Sequence, residues 1–163
     1  MMTASRPKHA WVELVAAVVL CLAVAGLGGL ATAPNVGGWY VELVKPAWTP
    51  PGWVFGPVWS VLYLMMAVAA WLVWRQGGLA VAAVPLGLFV VQLLLNGVWS
   101  WLFFALHSPG AALVDIVLLW AAIVATTVAF WRRSTLAGVL LAPYLAWVSF
   151  AVALNFAVWR LNG

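Results

Sequence analysis

Residues 79–106 read LAVAAVPLGLFVVQLLLNGVWSWLFFAL, a run without a single Lys, Arg, Asp or Glu. About 20 apolar residues in a helix cross the ~30 Å of hydrocarbon in a bilayer. A helix also satisfies its own backbone where no water is present to do so. This stretch is long enough for both. Four further apolar runs flank it, at about 11–32, 55–74, 110–131 and 135–160. The connections are short except for a Trp/Pro-rich segment, 33–54. The pattern predicts an all-α membrane protein, one domain over 1–163, folded as a bundle of five transmembrane helices.

Composition agrees. Of 163 residues 67% are hydrophobic and 6% charged, against about 25% charged in soluble domains. So few charges cannot coat a water-facing surface. The net charge of +4 rests on few residues, which speaks to orientation and not to nucleic acid. Cys21 stands alone in an apolar run, so no internal disulfide forms.

The first run ends Ala31-Thr32-Ala33, which resembles a signal-peptidase site. A cleaved signal has an apolar core of about 7–15 residues; this run is longer, which favours a retained helix. Ala17, Cys21, Ala25 and Gly29 also repeat every four positions, a stripe suited to close helix packing in lipid.

With five spans, Arg6, Lys8, Arg75, Arg132 and Arg133 fall on one side and Lys45 and Arg160 on the other, five against two of the seven Lys and Arg. The positive-inside rule then puts the N-terminus in the cytoplasm, the C-terminus outside and the 33–54 segment outside.

Thirteen tryptophans invite an interfacial-belt reading. It suits Trp11, Trp71, Trp74, Trp131 and Trp159 at span ends. Trp120 and Trp147 lie near mid-span, where an indole N–H needs a partner. Trp59 lies about one turn inside its helix. Helical spacing groups the remaining unusual residues. Trp59, Tyr63, Met66 and Ala70 share a face of the second span. Gln92, Asn96, Trp99 and Phe103 share one of the third, and Tyr144, Trp147, Ala151 and Asn155 share a sector of the fifth. Amides and phenols between helices serve as glue in lipid; combined with large rings they also line pockets for flat ligands. Spacing alone allows both.

Residues 48–59, WTPPGWVFGPVW, are rigid, aromatic and uncharged. Their prolines restrict the unfolded chain and so ease ordering of the segment. Trp48 and Trp53 would give it an apolar underside, as in a lid over a flat ligand. The alternative is a loop that only caps helix ends. Asp115, the one acid well inside a span, needs a partner. Arg160 on the same side is the candidate for a structural pair, with proton relay as the functional alternative. Glu13 begins a span near Lys8 and reads as an interfacial charge. His107 ends the third span, either as a solvated loop residue or as an axial ligand for a haem-like iron. The sequence has no phosphate-binding glycine loop, no Cys/His metal cluster and no nucleophile–base pair.

Three motifs in order carry a resemblance. Trp39-Tyr40, Lys45-Pro46-x-Trp48-Thr49-Pro50-Pro51, Trp59 and Tyr63 form the first. Gln92-Leu93-x-Leu95-Asn96-x-x-Trp99-Ser100-x-x-Phe103-Phe104 form the second. Pro143-Tyr144-Leu145-Ala146-Trp147 and Leu154-Asn155-Phe156-x-x-Trp159-Arg160-x-Asn162 form the third. Over about 11–162 the chain resembles the translocator protein family, also known as tryptophan-rich sensory protein, TspO/MBR or peripheral benzodiazepine receptor family, in its bacterial type.

The resemblance implies a five-helix bundle in a bacterial cell membrane, often dimeric, that binds porphyrins such as protoporphyrin IX or haem as a ligand rather than an obligatory cofactor. It implies a role in tetrapyrrole sensing and traffic. Light-dependent porphyrin degradation and transport of porphyrins or drugs are the alternatives. It puts Tyr40, Trp59, Asn96 and Trp147 in the pocket. With the faces picked out by spacing, the expected ligand-binding set is Tyr40, Trp48, Trp59, Tyr63, Gln92, Asn96, Trp99, Tyr144, Trp147 and Ala151. Trp59 and Trp147 are the candidate electron donors if light chemistry occurs. Animal members bind cholesterol through a Tyr ahead of a basic residue on the last helix; here Phe156 precedes Arg160, and such motifs are weak even when intact. For a homodimer, the small pair Ala83-x-x-x-Gly87 is the leading contact, with Ala25-x-x-x-Gly29 second.

Overall fold

The computed structural model describes residues 10–163. Five long helices are apolar enough to cross a membrane: α1 (Ala10–Val36), α3 (Gly52–Trp74), α4 (Leu79–Ser100), α5 (Pro109–Trp131) and α6 (Thr135–Asn162), with α4 continued by a π-helical turn, Trp101–Ala105. A one-turn helix, α2 (Trp39–Glu42), sits between α1 and α3. The five-span bundle is as expected. The long loop is not: α1 runs on through Val36 with Pro34 inside it, and α3 begins at Gly52. Only Gly37–Gly38 and 43–51 stay irregular. Arg6 and Lys8, part of the orientation count, lie outside the described residues.

Neighbouring helices close a ring in the order α1, α3, α6, α5, α4 and back to α1. Its two halves are filled differently. Away from α2, Ala67, Ala69 and Ala70 of α3 and Ala137 of α6 are buried with Val73, Phe89, Phe130 and Leu141. Small side chains let helices approach closely, which in lipid is the main source of association energy. Toward α2, aromatic side chains hold the helices apart.

One proline inside a helix is compensated by a side chain from a neighbouring turn. Pro85 has no N–H to give the carbonyl of Val81, and α4 kinks at Ala82 (φ −126°, ψ 29°). Arg133 Nη2 donates to that carbonyl at 2.8 Å, tying the α5–α6 turn to α4. Trp120, the lipid-facing mid-span tryptophan, donates its Nε1–H to Ser149 Oγ at 2.8 Å, bridging α5 and α6.

The expected Asp115–Arg160 pair does not form. Asn155 Nδ2 donates to the Pro109 carbonyl at 2.8 Å and so sets the register of α6 on α5. Asp115 lies six residues inward from that point and Arg160 five residues outward. At 1.5 Å per residue they stand on the order of 15 Å apart along the helix axes. Asp115 is buried with Oδ2 unpartnered, and Arg160 is exposed.

The turn between α5 and α6 leaves no slack. A Cβ on Gly138 would stand 2.6 Å from Trp131 Cε3 and 2.9 Å from Trp131 Cα, which is backbone and cannot rotate away. Gly138→Ala is expected to destabilise the bundle by about 1–3 kcal/mol, seen as a lower thermal unfolding midpoint in detergent. An unchanged midpoint would mean the turn opens freely.

Candidate functional site: an aromatic cavity between four helices

The half of the ring under α2 encloses a cavity of about 390 Å³, within the range of small-molecule sites. Trp59 and Tyr63 reach it from α3, Asn96 and Trp99 from α4, Trp147 and Ala151 from α6, and Tyr40 from α2. The helical periodicity that grouped these residues is the reason they meet, because residues three and four apart share a face. α5 contributes no lining residue and braces α4 and α6 from behind.

The walls are rings packed on rings. Trp99 stacks on Phe103 at 5.2 Å, and Trp59 meets Tyr63 at 5.7 Å and the edge of Tyr144 at 6.2 Å. Phe55 packs edge-on to Trp147 at 5.9 Å. The π-helical turn matters here: it holds one more residue per turn than an α-helix, and the consecutive Phe103 and Phe104 both line the cavity. Such turns recur at functional sites.

The floor is a chain of hydrogen bonds. Tyr63 donates to Asn96 Oδ1 at 2.5 Å, Asn96 Nδ2 donates to the Tyr144 hydroxyl at 2.9 Å, and Tyr144 donates to Gln92 Oε1 at 2.8 Å. Gln92 Nε2 ends it 3.9 Å from Met66 Sδ. Three helices, α3, α4 and α6, are joined through these four side chains. Beside them Trp99 donates to Asn155 Oδ1 at 2.9 Å. Asn96 therefore spends its amide on protein partners.

The roof is α2 with its flanks. Lys45 Nζ donates to the carbonyls of Tyr40, Val41 and Leu43 at 2.6, 3.2 and 2.9 Å and stands 4.8 Å over the Tyr40 ring. Asn162, at the end of α6, accepts from Val44 N–H and donates to the Val44 carbonyl, both at 2.9 Å. Burial pushes the Tyr40 phenol above its ordinary pKa, so it stays neutral. His107 has a left-handed backbone (φ 49°), a conformation in which His is enriched. Its ring stacks on Trp39 at 4.4 Å and its Nε2 lies 3.0 Å from Asn35 Oδ1.

Seven of the ten expected ligand-binding residues line the cavity; Trp48, Gln92 and Tyr144 do not. Gln92 and Tyr144 are the deep members of the floor, fully buried and out of reach of the cavity. Trp48 turns to Phe150, 5.6 Å away, and Trp53 is 76% exposed on α3, so the proline segment is not the lid. The short helix α2 covers the cavity in its place. His107 does not line it either and is exposed beside Trp39 and Asn35. What the sequence reading missed is the α1 wall: Leu22, Ala25, Gly28, Gly29 and Thr32. The small-residue stripe was the available signal, but Gly28 rather than Gly29 makes the close contact, with an added Cβ only 3.0 Å from Ser100 Oγ.

Fold and site together define an integral membrane helical bundle built around an internal aromatic cavity. The chain belongs to the TspO/MBR family, whose sequence model matches residues 17–160. It is 49% identical over 154 residues to the tryptophan-rich protein TspO of Chlorobaculum tepidum, covering 91% of this chain and 95% of that protein. It is 51% identical over 126 residues to the human translocator protein, 76% of this chain and 75% of that one. A tryptophan-rich sensory protein of Cereibacter sphaeroides is 37% identical over 152 residues, with 93% and 92% covered.

Because Asn96 satisfies both tyrosines, Asn96→Ala is expected to cost about 1–3 kcal/mol of stability with no ligand present, the penalty for stranding buried polar groups. Tyr63→Phe removes the donor with its bond and should cost less. Thermal unfolding of both variants in detergent checks this. Equal midpoints for Asn96→Ala and the parent chain would show that the floor does not hold the helices.

Proposed function

We propose that this chain holds a tetrapyrrole in the cavity and acts as a sensory or regulatory membrane protein that controls the pigment's traffic or fate. One observation carries the reading: a ring-walled space between the helices in which Trp59, Trp147, Tyr40 and Phe104 offer faces and edges to a flat aromatic ligand. The relative named as a sensory protein supports the regulatory half. Among the lining residues there is no His, Cys or Met, the usual axial donors to haem iron alongside Tyr. Tyr40 and Tyr63 do line it, so the ligand class is a porphyrin, protoporphyrin IX or haem.

A second reading is light-dependent degradation of the bound porphyrin. Trp59 and Trp147 are cavity-lining indoles whose electrons are within reach of a photoexcited ring, and oxygen would be the oxidant. From the Lys/Arg asymmetry we also propose that the α2 roof lies on the outer face of a bacterial cell membrane. Dimerisation through Ala83 and Gly87 is also proposed. Both are exposed, beside an apolar groove of about 500 Å³ between α1, α3 and α4, and nothing lies within 4 Å of a Cβ added at Gly87.

Two sets of variants test these readings. Trp147→Leu should weaken protoporphyrin IX binding about 5- to 10-fold in a fluorescence-quenching titration, since one packed ring is worth about 0.5–1.5 kcal/mol beyond burial. Affinity unchanged in a Trp59/Trp147 double leucine variant would put the site elsewhere. Trp59→Phe should keep most of the affinity and lose most photodegradation; no degradation by the parent chain under light and oxygen ends the enzyme reading. Gly87→Leu should convert the detergent-solubilised dimer to monomer, and an unchanged elution volume would remove α4 from the interface.

A further inference from the structure

The cavity is closed above and below but not at the side. Below it lies the hydrogen-bonded floor. Above it, α2 is held by Lys45 and by Asn162, so the water-facing route is latched. Between α1 and α3 the situation differs. Leu22 and Gly29 of α1 and Gly56 and Ser60 of α3 all line the cavity, and all four are also exposed on the outside of the bundle. Residues that line the cavity and are also exposed mark an opening.

The glycines say how wide it is kept. A Cβ added at Gly29, Gly52 or Gly56 meets nothing within 4 Å, whereas one at Gly28, a single residue away, meets Ser100 of α4. α1 thus leans on α4 at this height and leaves α3. At the other end of the same two helices the gap is shut by the buried Cys21, Ala67 and Ala70. From Leu22 to Thr32 the slot extends roughly 15 Å along α1 at 1.5 Å per residue. That span lies within the apolar stretch of α1, so the slot faces acyl chains and not water.

We propose that this slot between α1 and α3 is the ligand portal, and that the cavity exchanges its ligand with the bilayer by lateral passage rather than with water through the α2 roof. The class of ligand is a flat, apolar molecule that partitions into membranes before it binds; the inference rests on the reading of the cavity as the binding site. The physical logic is that an apolar ligand moving from lipid to an apolar cavity need not recross water. The roof can then stay latched during exchange.

Two measurements on the full chain in liposomes test it, one without the proposed pigment. In the first, stopped-flow quenching follows protoporphyrin IX binding to the parent, Gly29→Leu, Gly56→Leu and Asn162→Ala chains. The leucines fill the slot from opposite walls. Each should slow association and dissociation together, by about 10-fold, with the dissociation constant changed less than about 3-fold, because a barrier alters both rates alike. Asn162→Ala unlatches the roof and should leave both rates unchanged. Parent rates in both leucine variants, or faster exchange in Asn162→Ala, overturn the proposal. In the second, Ala151→Cys in a Cys21→Ala background puts one thiol in the cavity. A membrane-partitioning pyrene maleimide should label it, a charged water-soluble maleimide should not, and Gly56→Leu should slow the labelling. Preferential labelling by the water-soluble reagent, or no labelling by either, overturns the portal. If protoporphyrin fails to bind while the labelling pattern holds, the portal stands and the ligand assignment falls.

Discussion

The hydrogen-bond chain Tyr63–Asn96–Tyr144–Gln92 is the constraint on which the remainder of this structure depends. Lipid tails are as apolar as the side chains they replace, so hydrophobic burial does not pull transmembrane helices together. Close packing and polar cross-links must do so. Here alanines let the helices touch in one half of the ring. The other half contains an empty space and forfeits those contacts. A polar link among α3, α4 and α6 at the boundary is what lets the bundle open above it without coming apart.

The roof and the walls follow from that arrangement. Once the helices diverge, only large rings can span the gap, which accounts for the density of Trp, Tyr and Phe on the cavity side of α3, α4 and α6. The π-helical turn lets α4 present two consecutive phenylalanines. The Lys45 ammonium is satisfied by three carbonyls of the segment it follows. It folds that segment into a compact cap, and Asn162 fastens the cap to the last helix. A lid made this way depends on backbone groups more than on the hydrophobicity of its tryptophans.

Most of the bundle was legible in the sequence because an apolar run of membrane length has few alternatives. The faces carrying Trp59, Asn96 and Trp147 were legible because a period of 3.6 gathers them. What failed, failed for physical reasons. Gln92 and Tyr144 lie on the right faces but one layer too deep, and spacing reads face, not depth along the bundle. Trp48 looked like part of a lid because proline suggests rigidity, yet rigidity does not fix which way an indole points. Asp115 and Arg160 were matched by their side of the membrane, which ignores the axial offset that the Asn155–Pro109 contact imposes. The α1 wall was hidden because glycine and alanine signal packing and absence of packing equally well.

We propose that the ring-walled cavity holds a tetrapyrrole. Circular dichroism in the Soret region of protoporphyrin IX added to the protein in liposomes tests it most directly. The free pigment is achiral and gives no signal, while a macrocycle held among Trp59, Trp147 and Tyr40 must acquire one. The expected result is a Soret band that saturates with pigment and is lost in the Trp59→Leu/Trp147→Leu chain while the far-ultraviolet helical spectrum is unchanged. No induced band in the parent chain, or one of equal strength in the double variant, would contradict it.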